Sequence, residues 1–403
     1  MRVADYIVER LYEEGVKHIF MVTGRGILFL SDAVARHKEI ESICMHHEQA
    51  TAFAAMAYAQ YNNKIGACLV STGCASTNAL TGLLCAWQDS IPCIFISGQN
   101  KLKETTRYTK KKIRTYGQQE TDIISIVEPI TKYSTMITDP NDIVYEMDKA
   151  IYLSQSGKKG PVWIDIPLDI QNMRIEPEKL KRFTDYHYVS NFEEALEIIP
   201  TSYAGINSTK SISKKDESNK VDLYYLTEVL SDILPKDSVL LTDSGLTELI
   251  FSTTIKLKEG QRHLHPISQG SMGYALPAAI GAYCASKKPI IAVIGDGSIM
   301  MNLQELQTIS YNKIPIKVLV INNNMYATIR NRQEFLFRAR TIGTDMSNGV
   351  NCPDFKKVAD CFEIEYIKIE NNLNLIEDLQ TVFNKNNSII CEIIGIENQE
   401  FAH

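Results

Sequence analysis

The sequence predicts an α/β protein built from two doubly wound parallel-sheet domains. Short apolar runs without polar alternation recur along the chain, as strands do when both faces of a parallel sheet are covered. Helix-spaced segments alternate with these runs, the order that builds βαβ units. At 403 residues the chain is too long for one ordinary core. A polar stretch at 187–220 divides it, which sets the expected domains at 1–186 and 221–403.

Taken in order, Val3 to Glu14 reads as a helix, with Val3, Tyr6, Ile7, Arg10 and Leu11 at helical spacing. His18 to Val22 is a short strand, and Gln49 to Tyr61 an alanine-rich helix. Gly66 to Val70, Pro92 to Ser97 and Pro161 to Pro167 read as buried strands. The segment 187–220 is rich in Asn, Ser, Thr and Lys and cannot bury enough apolar area to fold alone, so it reads as a linker. Phe192 to Ile199 could form one short helix within it. Beyond it, strands are expected at Val239 to Thr242, Pro289 to Ile294, Ile316 to Ile321 and Ile389 to Ile394, with a helix at Ala275 to Ala285.

The formal charge of −6 argues against a nucleic-acid partner and against an anionic membrane surface. No apolar run approaches the roughly 20 residues of a membrane span. The N-terminus enters an amphipathic helix directly and lacks the apolar core of a secretion signal, so the expected location is cytoplasmic. The nine cysteines form no C-x-x-C pair and several lie in apolar strands. They read as reduced thiols rather than a zinc site.

The most informative chemistry is Gly295-Asp296-Gly297-Ser298, followed by Asn322-Asn323-Asn324. Each group ends an apolar strand, and ligands of open parallel sheets bind outside the carboxyl ends of the strands. Asp296 and Asn323, 27 residues apart, are therefore expected on one rim. A carboxylate and an amide oxygen are hard ligands suited to Mg²⁺, which commonly bridges substrate phosphates. The glycines allow close backbone approach to a phosphate. Ser298 to Tyr311 reads as one helix whose first N–H groups would face a diphosphate.

That spacing, Gly-Asp-Gly and then Asn-Asn about two dozen residues on, resembles the diphosphate motif of thiamine diphosphate enzymes. Other blocks resemble the acetolactate synthases of that family: Cys44 to Tyr61, Thr72 to Gly82 (which includes Asn78), Ala86 to Pro92, Ile96 to Gln99, Gln118 to Asp122, Gly160 to Pro167 and Gln269 to Gly281. The resemblance spans about residues 1–185 and 222–395, and is nearest to the acetolactate synthase-like proteins of surface-polysaccharide pathways. It implies a pyrimidine-binding first domain and a diphosphate-binding second domain. It also implies thiamine diphosphate and Mg²⁺ as cofactors. Read by position alone, Glu48 is a helix-start carboxylate near a favourable dipole. The resemblance makes it the partner of the pyrimidine N1′, favouring the imino tautomer that deprotonates the thiazolium C2. Met272, by itself a core residue, matches the apolar support on which the cofactor bends. Asp296, Asn323 and the Met325 carbonyl match the metal ligands. Gly295, Gly297, Ser298 and Asn78 fall among the cofactor-binding residues, and Gln118 matches a glutamine on the substrate side.

The chain departs from the pattern in several places. The segment 187–220 stands where relatives carry a central domain, so no FAD is expected; extended, it still reaches on the order of 100 Å. Arg25, in Thr23-Gly24-Arg25-Gly26, stands where a small residue usually lines the substrate pocket. It could clamp a carboxylate or phosphate, point to solvent or obstruct the pocket. Gly73-Cys74-Ala75-Ser76 replaces a Gly-Pro-Gly loop, and a C-terminal tail that helps close the site in relatives is expected to be missing. The resemblance implies decarboxylation of a 2-oxo acid, pyruvate first, and ligation of the resulting enamine to a carbonyl acceptor, either a second pyruvate or a keto-sugar nucleotide. A non-ligating decarboxylase and a silent cofactor-binding protein are the competing expectations. The family's pairing of domains across subunits implies a homodimer or homotetramer.

Overall fold

The computed structural model describes residues 1–184, 220–397 and 399–401. They form two compact units, one on each side of residues 185–219. The expected linker at 187–220, save Lys220, and the helix at Phe192 to Ile199 lie outside the described residues.

The first unit carries six parallel strands: β1 (His18–Met21), β2 (Glu41–Cys44), β3 (Gly66–Val70), β4 (Cys93–Gln99), β5 (Tyr133–Met136) and β6 (Val162–Pro167). Their order is β2-β1-β3-β4-β6-β5. Every residue of β1, β3, β4 and β6 is buried, which explains the apolar runs without alternation. The helix Glu48–Asn62 is buried at every position from Ala50 to Ala59. Its alanines let neighbouring elements approach on all sides, so it lacks an amphipathic stripe. Within the sheet, Phe95 and Trp163 stack with ring centroids 5.2 Å apart. The Trp163 indole donates to Ser97 Oγ at 2.8 Å, and Ser97 donates to Asp165 Oδ1 at 2.7 Å.

The second unit repeats the plan with β7 (Val239–Thr242), β8 (Arg262–Leu264), β9 (Ile290–Gly295), β10 (Ile316–Asn322), β11 (Glu365–Ile369) and β12 (Ile389–Ile394), ordered β11-β12-β10-β9-β7-β8. Renumbered from its own first strand and read from the other edge, this is the same order as in the first unit. Its core packs Leu226, Leu230 and Phe251 against Ile291, Val293, Leu319 and Ile393 of the sheet.

Eight strands fall where the apolar runs place them. The other four, β2, β5, β8 and β11, are the outer strands of the two sheets. They are only partly buried, so they lack the signature of a covered strand. One expectation is corrected. Ser298 to Tyr311 is not one helix: a single turn, Asp296–Ile299, is separated from Glu305–Tyr311. The break is held from outside, because buried Asn302 donates from Nδ2 to the Gly273 carbonyl at 3.0 Å.

Asp165 is fully enclosed, and burial raises its pKa from 3.8 to about 7 against the hydrogen bonds from Ser97 and Gln99. The folded chain therefore holds a proton there that the unfolded chain releases between about pH 4 and 7. Folding stability from this group falls as pH rises through that window and levels above it. Thermal unfolding between pH 5 and 8 should show that slope, and Asp165→Asn should make it shallower, leaving the share of the other buried acids raised in the same way, Asp243 and Asp296. An unchanged slope in the variant would assign the pH dependence elsewhere.

Candidate functional site

β9 and β10 pair in parallel with Gly295 beside Ile321, so the segments that follow them emerge side by side at the carboxyl rim. Asp296 is 3% exposed. Its Oδ1 accepts from Gly297 N at 2.7 Å and its Oδ2 from Asn324 N at 2.7 Å. The three asparagines divide the work. Asn322 donates from Nδ2 to Glu392 at 2.6 Å and locks the strand end. Asn323 Oδ1 accepts from Met325 N at 3.3 Å. Asn324 takes φ 56, the left-handed turn that aims its N–H at Asp296. Asp296, Gly297, Asn323, Met325 and Met272 share one cavity of about 210 Å³, which Gly295 and Ser298 also line.

Burial lifts the Asp296 pKa from 3.8 to about 6, against hydrogen bonds from the backbone N–H groups of Gly297, Asn324 and Asn323. No group of three His, Cys, Asp or Glu side chains suited to a metal occurs among the described residues. The hard oxygens that the cavity offers are instead the Asp296 carboxylate and the Asn323 amide oxygen. Those hard oxygens fit Mg²⁺ rather than a thiophilic metal. The expected diphosphate contact from Gly297 is partly taken, since its N–H already serves Asp296.

Two residues of this rim escaped the sequence reading. Asp243, directly after β7, is completely buried and accepts from Ser298 Oγ at 2.8 Å and Gly273 N at 3.0 Å. Ala275 N and Thr247 also donate to it, and burial still pushes its pKa to about 7. Its signal was available: an acid at the end of an apolar run, as at Asp296. Tyr326 had no such signal. Its ring lies over Gly297, where an added Cβ would come within 2.0 Å of a ring carbon.

At the carboxyl rim of the first unit, Glu48 opens the helix after β2. His47 caps that helix, its Nδ1 accepting from Gln49 N at 3.1 Å. Asn78 donates from Nδ2 to Glu48 Oε2 at 3.0 Å, so two of the expected cofactor residues meet. The short helix Cys74–Asn78 leads there from Gly73. Gly73 has φ 67, and a Cβ on it would lie 2.0 Å from the Gln119 carbonyl oxygen, so only glycine fits. Arg25, in the turn after β1, donates from Nη1 to Gln118 Oε1 at 2.5 Å. Both side chains are exposed. Glu48 and Asn78 thus form one pair, and Arg25 and Gln118 another.

Comparison with known proteins bears on both rims. Residues 1–126 match the family described as thiamine pyrophosphate enzyme, N-terminal TPP binding domain, and residues 243–393 match its C-terminal TPP binding domain. The chain is 23% identical over 556 residues to the acetolactate synthase large subunit of Haemophilus influenzae, covering 99% of this chain and 95% of the relative. It is 24% identical over 549 residues to the acetolactate synthase large subunit of Cyanidium caldarium, covering 96% and 92%. Acetolactate synthase 3, chloroplastic, of Brassica napus is 23% identical over 549 residues, covering 97% and 83%. These spans exceed the 403 residues of the chain, in keeping with a shortened central region.

Gly297→Ala should force its new methyl into the Tyr326 ring and destabilise the second unit by about 1–3 kcal/mol, the cost of overpacking. Tyr326→Ala on that background should recover part of the loss. Urea unfolding of the two single variants and the double variant measures the coupling; strictly additive losses would exclude the contact.

Proposed function

The chain belongs to the thiamine pyrophosphate enzyme family, and on that premise we propose that it is a thiamine diphosphate- and Mg²⁺-dependent enzyme of the acetolactate synthase type. It decarboxylates a 2-oxo acid, with pyruvate the leading candidate, and joins the two-carbon product to a carbonyl acceptor. The observation that carries this reading is the pairing of Asp296 and Asn323 at adjacent strand ends, lining one cavity with Met272. Thiamine diphosphate, when bound, supplies a stabilised carbanion that accepts and releases the reacting carbon. Asp296, Asn323 and the Met325 carbonyl would hold the metal that neutralises the diphosphate. Met272 would support the bent cofactor from the cavity wall. Glu48 would hold a proton at N1′ of the pyrimidine, with Asn78 fixing the orientation of its carboxylate. An assembly of at least two chains is the working form under this reading.

Product analysis with pyruvate tests the reaction class. Acetolactate supports ligation, acetaldehyde limits the protein to decarboxylation, and no product from the cofactor-loaded protein removes the enzymatic reading with pyruvate.

Thiamine diphosphate binding should require a divalent metal and should be lost in Asp296→Ala, because the diphosphate would otherwise lack its counter-charge. Calorimetric titration in Mg²⁺ decides this, and tight binding by the variant would remove the metal assignment. Glu48→Gln should keep cofactor affinity but lose on the order of 10²-fold or more in turnover, the scale of a general acid–base contribution. Steady-state rates at saturating cofactor measure it. Parental turnover would reduce Glu48 to a helix-start residue.

A further inference from the structure

The loop after β4 breaks with the charge of the chain. Between residues 101 and 114 stand seven cations (Lys101, Lys103, Arg107, Lys110, Lys111, Lys112 and Arg114) against the single carboxylate Glu104, in a chain of net charge −6. Lys103, Lys110, Lys112 and Arg114 are exposed, and none forms an ion pair among the described residues. Lys111 lies over the Tyr116 ring, 3.6 Å from its centroid.

This is a held loop rather than a loose solvated run. Glu120, 5% exposed, accepts from Thr106 N at 3.1 Å, Thr106 Oγ1 at 2.7 Å and Tyr116 N at 2.9 Å, so it ties both arms. Asn100 Nδ2 donates to the Gln118 carbonyl at 2.8 Å. Arg107 alone is neutralised, by Asp122 at 3.1 Å. Lys110 takes φ 57, a conformation glycine would adopt without strain, and keeps a charge there. The loop runs directly into Gln118, which holds Arg25, and Gln119, which abuts Gly73 on the rim that carries Glu48.

A lone carboxylate needs one matching guanidinium. A phosphate ester carries about −1.5 to −2 charges at pH 7, and a diphosphate ester more. The net negative charge of the chain disfavours a long polyanion. We propose that the 101–118 loop, with Arg25, recognises a phosphate- or diphosphate-bearing carbonyl acceptor at the rim of the first unit. This rests on the cofactor-dependent reading above and narrows its acceptor to a phosphorylated class.

The test uses the full chain saturated with thiamine diphosphate and Mg²⁺, so that the cofactor's own diphosphate site is filled. UDP is titrated calorimetrically into the parent protein, K110S/K111S/K112S and K110R/K111R/K112R. The expected result is UDP binding that weakens about tenfold or more in the serine variant, survives in the arginine variant and declines with salt. Affinity for thiamine diphosphate should be the same in all three. Inorganic pyrophosphate losing affinity in parallel with UDP would identify phosphate, rather than the nucleoside, as the recognised group. The proposal is overturned if UDP fails to bind the loaded parent protein or binds parent and serine variant equally. It is also overturned if a short DNA duplex binds the loop more tightly than UDP. Failure of thiamine diphosphate to bind would instead count against the cofactor reading itself.

Discussion

The rim of the second unit depends on one buried carboxylate. Asp243 gathers Ser298 from the turn after β9 together with Gly273 and Ala275 from the start of the helix Ala275–Ser286 that precedes β9. A carboxylate without water is costly unless its lone pairs are occupied. Here several donors from separate segments occupy them, so enclosing Asp243 also fixes their relative positions. The Ser298 hydroxyl is committed to this junction, accepting from Gly273 N as well as donating to Asp243. The neighbouring Asp296 and Gly297 therefore stand on a base set from below. The cavity inherits its shape from a residue that does not line it.

The two units use one topology for different tasks. In each, the chain leaves the third strand of the unit into a short helical turn: Cys74–Asn78 after β3 and Asp296–Ile299 after β9. In the first unit that turn carries hydroxyls and an amide and delivers Asn78 to Glu48. In the second it begins with a carboxylate and faces Asn323. Ligands favour the carboxyl ends of parallel strands, and the chain has furnished the same location twice, once with neutral hydrogen-bonding side chains and once with a carboxylate beside an amide.

What the sequence revealed follows what is local. Covered strands show as apolar runs because both faces are dry, and eight of them were legible for that reason. Outer strands such as β2 and β11 mix exposed and buried positions, and their pattern is not that of a covered strand. Asp296 and Asn323 were legible because each ends a covered strand. The break after Ile299 was not, because Asn302 reaches a carbonyl 29 residues away. The meeting of Arg25 with Gln118 bridges 93 residues, a separation no local pattern encodes. Tyr326 was missed because its value lies in the absent side chain of Gly297. Asp243 could have been found by asking which strand ends carry an acid without a motif around it.

The Trp163 stack has an optical consequence. The chain contains two tryptophans, Trp87 and Trp163, and both belong to the first unit. Indole emission is therefore a private channel for that unit, while far-ultraviolet ellipticity counts the helices and strands of both. Fluorescence and ellipticity recorded through one denaturation coincide only if the two units come apart together. A gap between the curves would give each unit's stability without any label or truncation.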